Sequence, residues 1–198
     1  MNVYTQLNKP SLDANSKWFP CLITEPTADQ IVAPIQPLLV THIDCVRHYQ
    51  HDIKPLLDQK VHCIGSITYD RLIEAGFKDV SMHGLVAEDI KMNSNSIPDK
   101  ITWLHGNRYS KDFSKFDGVT AIQTFTTSAN NTSLYKVITT AKDITNLFVY
   151  ISLVLEELEK HDMANIHLHH VASAEPTVEK WKTTTEFYPG KELPKAPL

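Results

Sequence analysis

Twice in this 198-residue chain a short apolar run meets a glycine and turns at once into a helix-like stretch. The first run is Val61-His62-Cys63-Ile64-Gly65, leading into Ser66-Ile67-Thr68-Tyr69-Asp70-Arg71-Leu72 and on to Gly76-Phe77. The second is Ile101-Thr102-Trp103-Leu104-His105-Gly106, leading into Asn107-Arg108-Tyr109 and on to Phe113. Each predicts a strand, a tight turn and a helix. Such a junction sets free backbone N–H groups and a partly positive helix end beside the carboxyl end of a strand. In open α/β sheets, ligands bind outside those strand ends. The two turns are therefore where function is expected.

The rest of the chain extends the alternation. Strands are expected at Asn2–Leu7, Trp18–Thr24, Leu38–Thr41, Asp79–Met82, Val119–Thr127, Asn146–Ile151 and Ile166–Val171. Helices are expected over Cys45–Leu57, interrupted at Pro55, over Ala87–Lys91 and over Val154–His161. Residues 183–198, with Pro189, Pro194 and Pro197, read as an extended tail. Strands alternating with helices predict parallel sheets. Five of the six glycines lie between positions 65 and 118, so the tight turns concentrate mid-chain. This predicts two lobes: a continuous middle lobe, 33–125, and a second lobe built from both ends, 1–32 with 126–198.

Charge and cysteine usage exclude several classes. A net charge of −4 argues against a general nucleic-acid binder. No apolar run approaches the roughly 20 residues that span a bilayer, and the N-terminus lacks the pattern of a signal peptide. Cys21, Cys45 and Cys63 are odd in number and far apart, as expected of reduced thiols in the cytoplasm. The sequons at Asn130 and Asn131 carry little meaning without secretion.

Three motifs have chemical potential. Ser66 or Thr68 could cap the helix after Gly65 or hydrogen-bond a carboxylate, capping being the commoner use. Lys100, Arg108, Lys111 and Lys115 against Asp112 give that stretch a local balance of +3, either an anion site at a helix start or a solvated basic face. His167-Leu168-His169-His170 places His167 and His169 on one strand face. No carboxylate or cysteine joins them at a diagnostic spacing, so a solvent-facing strand edge is the better reading than a metal site.

The order of these pieces resembles uroporphyrinogen-III synthase. That family has a strand with a TS-x-x-AV turn, then a (V/I)-G-x-x-T-A-x-x-L-x-x-x-G unit, an L-x-G-N/R strand end, and a strand ending Y-x-T. Here Val40-Thr41-His42-Ile43-Asp44-Cys45-Val46, Ile64 through Gly76-Phe77, Leu104-His105-Gly106-Asn107-Arg108 and Thr124-Phe125-Thr126-Thr127 follow in that order across residues 38–127. The resemblance implies two α/β lobes, parallel sheets flanked by helices, joined by a two-stranded linker. It implies a cofactor-free, metal-free monomeric lyase of tetrapyrrole synthesis. Hydroxymethylbilane would lose water, invert its ring D through a spiro intermediate, and close to uroporphyrinogen III. An unrelated periplasmic-binding-like or flavodoxin-like domain, with one continuous sheet, is the rival fold.

Carried over residue by residue, Thr68 matches the family's cleft threonine. Thr41 matches the first turn, where His42 replaces a serine. Gly65, Ser66, Gly106, Asn107, Arg108 and Thr126 complete the substrate-binding set. Phe125 falls where the family usually has a tyrosine, the group best placed to assist loss of the hydroxyl, and phenylalanine donates no proton. Tyr109 or Tyr150 would then stand in for it. Tyr150 also sits where a second TS pair would begin, and that pair is absent. The departures leave an alternative: a non-catalytic paralogue binding a tetrapyrrole or another polyanion.

Overall fold

The computed structural model describes residues 1–6, 10–28, 36–92, 97–149, 152–158, 160–161, 166–172 and 185–187. The chain divides into two compact units, Thr24–Thr127 and Met1–Ile23 with Ser128–Leu198.

The continuous unit is built on strands β4 (Leu38–Val40), β5 (Lys60–Cys63), β6 (Asp79–Met82), β7 (Ile101–Gly106) and β8 (Val119–Ala129), with β3 (Leu22–Pro26) at the edge. Their order is β3-β8-β7-β4-β5-β6, and the β8-to-β6 portion is parallel throughout. β4 is central, and all three of its residues are buried, as a strand covered on both faces requires. β3 runs antiparallel to β8, with Thr27 N–H donating to Thr124 C=O and Asn130 N–H to Cys21 C=O. Both divisions between the units fall within these two neighbouring strands, so the chain crosses twice through a two-stranded linker.

From β4 the chain steps to β5 and β6 on one side, then returns to β7 and β8 on the other. The carboxyl ends of β4 and β7 therefore flank the topological switch point. Helix α1 (Asp44–Arg47) and helix α2 (Ser66–Glu74) cover one face through Val46, Tyr49, Leu72 and Phe77. The other face is closed by Ala87, Ile90, Met92, Ile97 and Phe113 around Leu39 and Trp103.

Helix α2 starts where the sequence predicts. Gly65 has φ 77°, which favours glycine, and Gly76 ends the helix at φ 98°. The stop is a Schellman turn: Gly76 N–H donates to Ile73 C=O and Phe77 N–H to Leu72 C=O, while Phe77 and Leu72 share the core.

The other unit carries β1 (Asn2–Tyr4), β2 (Ser16–Trp18), β9 (Asn146–Val149), β10 (His167–Ala172) and β11 (Thr185–Phe187) in the order β11-β10-β9-β1-β2, all pairs parallel. Helices α3 (Asn131–Thr139) and α4 (Ser152–Leu158) pack Leu134, Val137, Leu155 and Leu158 against Val3, Leu147 and Val149. The two separate sheets exclude the single-sheet rival.

Several expectations change. No helix follows Gly106 directly; a 3₁₀ turn at Phe113–Lys115 comes later. Asp112 accepts from Ser114 N–H and Oγ–H, and that local turn competes with a helix. The expected 45–57 helix is the single turn of α1 and a separate 3₁₀ turn at Lys54–Leu56, and Ala87–Asp89 is also 3₁₀. Part of the expected tail pairs as β11 with β10, so β10 is hydrogen-bonded on both sides rather than being an edge.

Candidate functional site

The carboxyl edge of the continuous unit gathers the turns after its parallel strands. Thr41 and His42 follow β4, Gly65, Ser66 and Thr68 follow β5, and His83 to Leu85 follow β6. Asn107, Arg108 and Tyr109 follow Gly106 at the end of β7, and Phe125 and Thr126 lie on the adjoining β8. Ten of the eleven residues expected to form the site thus lie on this edge or on the β8 stretch bonded to it. The eleventh, Tyr150, lies outside the described residues.

At the Gly65 turn, Gly65 N–H donates to Gly84 C=O at 2.8 Å, tying the β5 turn to the β6 turn. No side chain caps α2. The capping reading of Ser66 and Thr68 therefore gives way. The first N–H groups of a nine-residue helix point past the strand end without a side-chain acceptor from the cap, an arrangement suited to an anion. Ser66 is exposed there, and Thr68 is buried beneath it.

The Gly106 turn holds its shape differently. Asn107 N–H donates to Phe125 C=O at 3.2 Å. The Asn107 side chain accepts from Thr127 N–H at 2.7 Å and donates to Thr127 C=O at 3.2 Å. Its amide thus continues the β7–β8 ladder past the last strand residue. Arg108 and Tyr109 are exposed beyond it. Trp103 carries His105 stacked at 4.2 Å and Tyr109 edge-on at 5.1 Å, so the tyrosine is anchored by rings on β7. Burial lowers the pKa of His105, whose Nδ1 lies 2.8 Å from Gly106 O.

The basic stretch does not act as one patch. Lys111 donates to Ile90 C=O at 2.7 Å and lies over the Phe113 ring, and Lys115 pairs with Asp112. Lys100 precedes β7 and Arg108 follows it, so the six residues of the strand hold them about 20 Å apart along its axis.

Phe125 is a buried ring. A Cβ on Gly106 would lie 2.6 Å from its Cζ, so only glycine lets β8 pack this way against β7. His42 lies 6.1 Å and His48 5.8 Å from Phe125 between ring centroids. His42 Nδ1 accepts from Asp44 N–H at 3.2 Å and is 3.6 Å from the Asp44 carboxylate. That carboxylate is buried and paired with Arg47 at 3.1 Å. The His42 pKa is lowered by desolvation, with Asp44 opposing and Arg47 adding to the shift. The outer part of the ring still meets solvent, the side chain being 60 % exposed. In the sequence His42 stands out only as a replacement for serine; its contact with Phe125 is a long-range product of the β4–β7–β8 arrangement.

An apolar rim accompanies these polar turns, and nothing in the sequence periodicity announces it. Ile67 at the start of α2, Met82 at the end of β6, Leu85 after it and Tyr109 are all exposed. The edge thus combines backbone donors, hydroxyls and a guanidinium with solvent-facing hydrocarbon. That is the surface an amphipathic polyanion needs. Among the described residues no group of three or more His, Cys, Asp or Glu side chains could hold a metal ion, and no helix is long and apolar enough to cross a membrane.

The His-Leu-His-His run belongs to the other unit. His169 stacks on Phe148 at 4.7 Å and meets Asn146 Oδ1 at 3.1 Å, which makes it part of the packing.

Architecture and edge together define a two-unit, parallel α/β protein with its candidate site residues at a switch point. Among solved structures, that architecture is the uroporphyrinogen-III synthase fold. The synthetase from Helicobacter pylori superposes with a TM-score of 0.64 at 9 % identity, over 94 % of this chain and 91 % of that one. A mutant synthase from the extremely thermophilic bacterium Thermus thermophilus superposes with a TM-score of 0.56 at 12 % identity, over 97 % and 93 %. No family model and no curated protein sequence matches the chain.

Proposed function

We propose that this protein cyclises hydroxymethylbilane to uroporphyrinogen III with inversion of ring D and loss of water. The observation carrying this reading is the uncapped Gly65–Thr68 helix start beside the β4–β7 switch point of a uroporphyrinogen-III synthase fold. The substrate's acetate and propionate groups meet the α2 N–H groups, Ser66, Thr68 and Arg108, and its pyrrole faces meet Ile67, Leu85 and Tyr109. Thr41 and Thr126 add hydroxyls, Gly65 and Gly106 let the chain approach closely, and Asn107 holds its turn rigid. Positioning is the main catalytic task, because the open chain must be held in the one conformation that closes with ring D turned over. The protein acts as a cytoplasmic monomer, with no metal or organic cofactor.

One observation favours a second reading. The buried Phe125 ring has no hydroxyl, which suits a non-catalytic binder of a tetrapyrrole or another polyanion. Feeding hydroxymethylbilane and separating the products distinguishes the two. Isomer III above the spontaneous background is expected. Isomer I alone, the uncatalysed product, would overturn the enzymatic reading.

A further inference from the structure

The proposed reaction requires a hydroxyl to leave a hydroxymethyl carbon, and the inference here rests on that reading. A departing hydroxyl needs a proton at the moment the C–O bond breaks. Phe125 has none to give, but two imidazoles flank its ring. His48 directs Nε2 to Thr24 Oγ1 at 3.0 Å, towards β3. His42 does the reverse. Its Nδ1 accepts from Asp44 N–H, which leaves Nε2 as the proton-bearing nitrogen of the neutral ring, on a side chain 60 % exposed.

The placement of His42 is also central. It follows β4, so it stands at the switch point, between the Gly65 turn after β5 and the Gly106 turn after β7. Phe125, packed on Gly106, sets an apolar ring beside the imidazole.

We propose that His42 is the general acid of this site. The charged imidazolium gives its Nε2 proton to the hydroxyl oxygen. The C–O bond breaks with both electrons going to that oxygen, and water departs. The methylene carbon is left as a cation conjugated with its pyrrole nitrogen, and His42 returns to the neutral form. In the imidazolium, Nδ1–H turns from the Asp44 backbone to the Asp44 carboxylate, 3.6 Å away at rest. The groups that bias this charge are Asp44, which favours it, and Arg47, which opposes it, both after β4. Arg108 at the neighbouring strand end and His48 across the Phe125 ring also oppose it when charged. The carboxylates of a bound substrate favour it strongly.

His42→Asn separates chemistry from structure, because Asn can still accept from the i+2 backbone N–H but delivers no proton. The expected result is a fall in kcat for isomer III of about 10²- to 10⁴-fold, with KM and thermal midpoint close to those of the unaltered chain. His42→Gln, which does not depend on that turn bond, should lose as much. The unaltered chain should lose kcat as pH rises through the His42 pKa, and Phe125→Tyr in the His42→Asn background should recover part of the rate. If both single variants keep kcat within about threefold, the His42 assignment is wrong although the enzyme reading stands. If the unaltered chain makes only isomer I, the enzyme reading itself fails and takes the assignment with it.

Discussion

The two units solve the same topological problem in opposite ways. Each has a strand flanked on both sides by parallel neighbours where the chain reverses its direction of winding, β4 between β5 and β7, and β1 between β2 and β9. In the unit of both chain ends, the β1–β9 junction is filled with packing. Tyr4 stacks on Phe148 at 4.8 Å, Phe148 stacks on His169, and Thr5 Oγ–H donates to Phe148 C=O at 3.0 Å. Phe19 and Cys21 N–H groups then take the Tyr4 and Thr5 carbonyls. In the continuous unit, the β4–β7 junction ends in an exposed histidine, a glycine and an exposed arginine. The same parallel topology thus serves as a packed scaffold in one unit and as the proposed binding edge in the other. What differs is whether the strand ends are closed by stacked rings or followed by exposed polar side chains.

The largest effect that could break this contrast lies in the stack. Phe148→Ala should lower stability by about 3–5 kcal/mol in a denaturant titration, because it opens a cavity between Tyr4 and His169. A loss under about 1 kcal/mol would mean that the rings are not packed as described. The next effect is a pH dependence in the continuous unit. His62 is fully buried on β5, with Nδ1 2.7 Å from His83 Nε2 and no hydrogen-bond partner at its own Nε2. Burial first, then His83 and Lys60, pull its pKa from 6.5 to about 4, with Asp79 opposing. A depressed histidine is neutral when folded, while the unfolded chain takes up the proton first. Stability is therefore full above pH 6.5, falls as pH drops towards about 4, and levels off below it. The His62 contribution is on the order of 3 kcal/mol in thermal melts across that range, and His62→Leu should remove that share of the slope, leaving the smaller shares of His42, His83 and His105.

Two smaller substitutions separate turn from ligand. Asn107→Ala should cost about 1–2 kcal/mol of stability, because it removes both bonds to Thr127. Arg108→Gln should cost less stability than Asn107→Ala and raise KM for the bilane about tenfold, as expected for one charge-assisted hydrogen bond. Equal stability losses from both would erase the distinction. The smallest effect is Lys78→Ala, below about 0.5 kcal/mol, because its pairing with Asp58 is solvent-exposed at both ends.

Local rules made much of the fold legible. Strand β5 and helix α2 could be read directly, because Gly65 and Gly76 bound the helix and the short apolar run of β5 precedes it. The Gly106 turn misled for an equally local reason: Asp112 and Ser114 bond each other, and Tyr109 and Phe113 pack on Trp103 rather than along a helix face. Helix α3 was missed, although Asn130 caps it by accepting from Ser133 N–H, since its Thr, Val and Ile content has little helix propensity. The candidate site was half visible. Glycines and hydroxyls announce strand ends, but the approach of His42 to Phe125 and the tie between Asn107 and Thr127 depend on strand order.

The central claim is that polycarboxylate ligands dock at the carboxyl edge of β4, β5 and β7. Amide shift mapping of the labelled full chain with uroporphyrin III, the stable oxidised form of the proposed product, tests it most directly. The expected result is saturable shifts concentrated at Thr41–Asp44, Gly65–Thr68 and Gly106–Tyr109. Saturable shifts confined to other residues, or none at all, would contradict it.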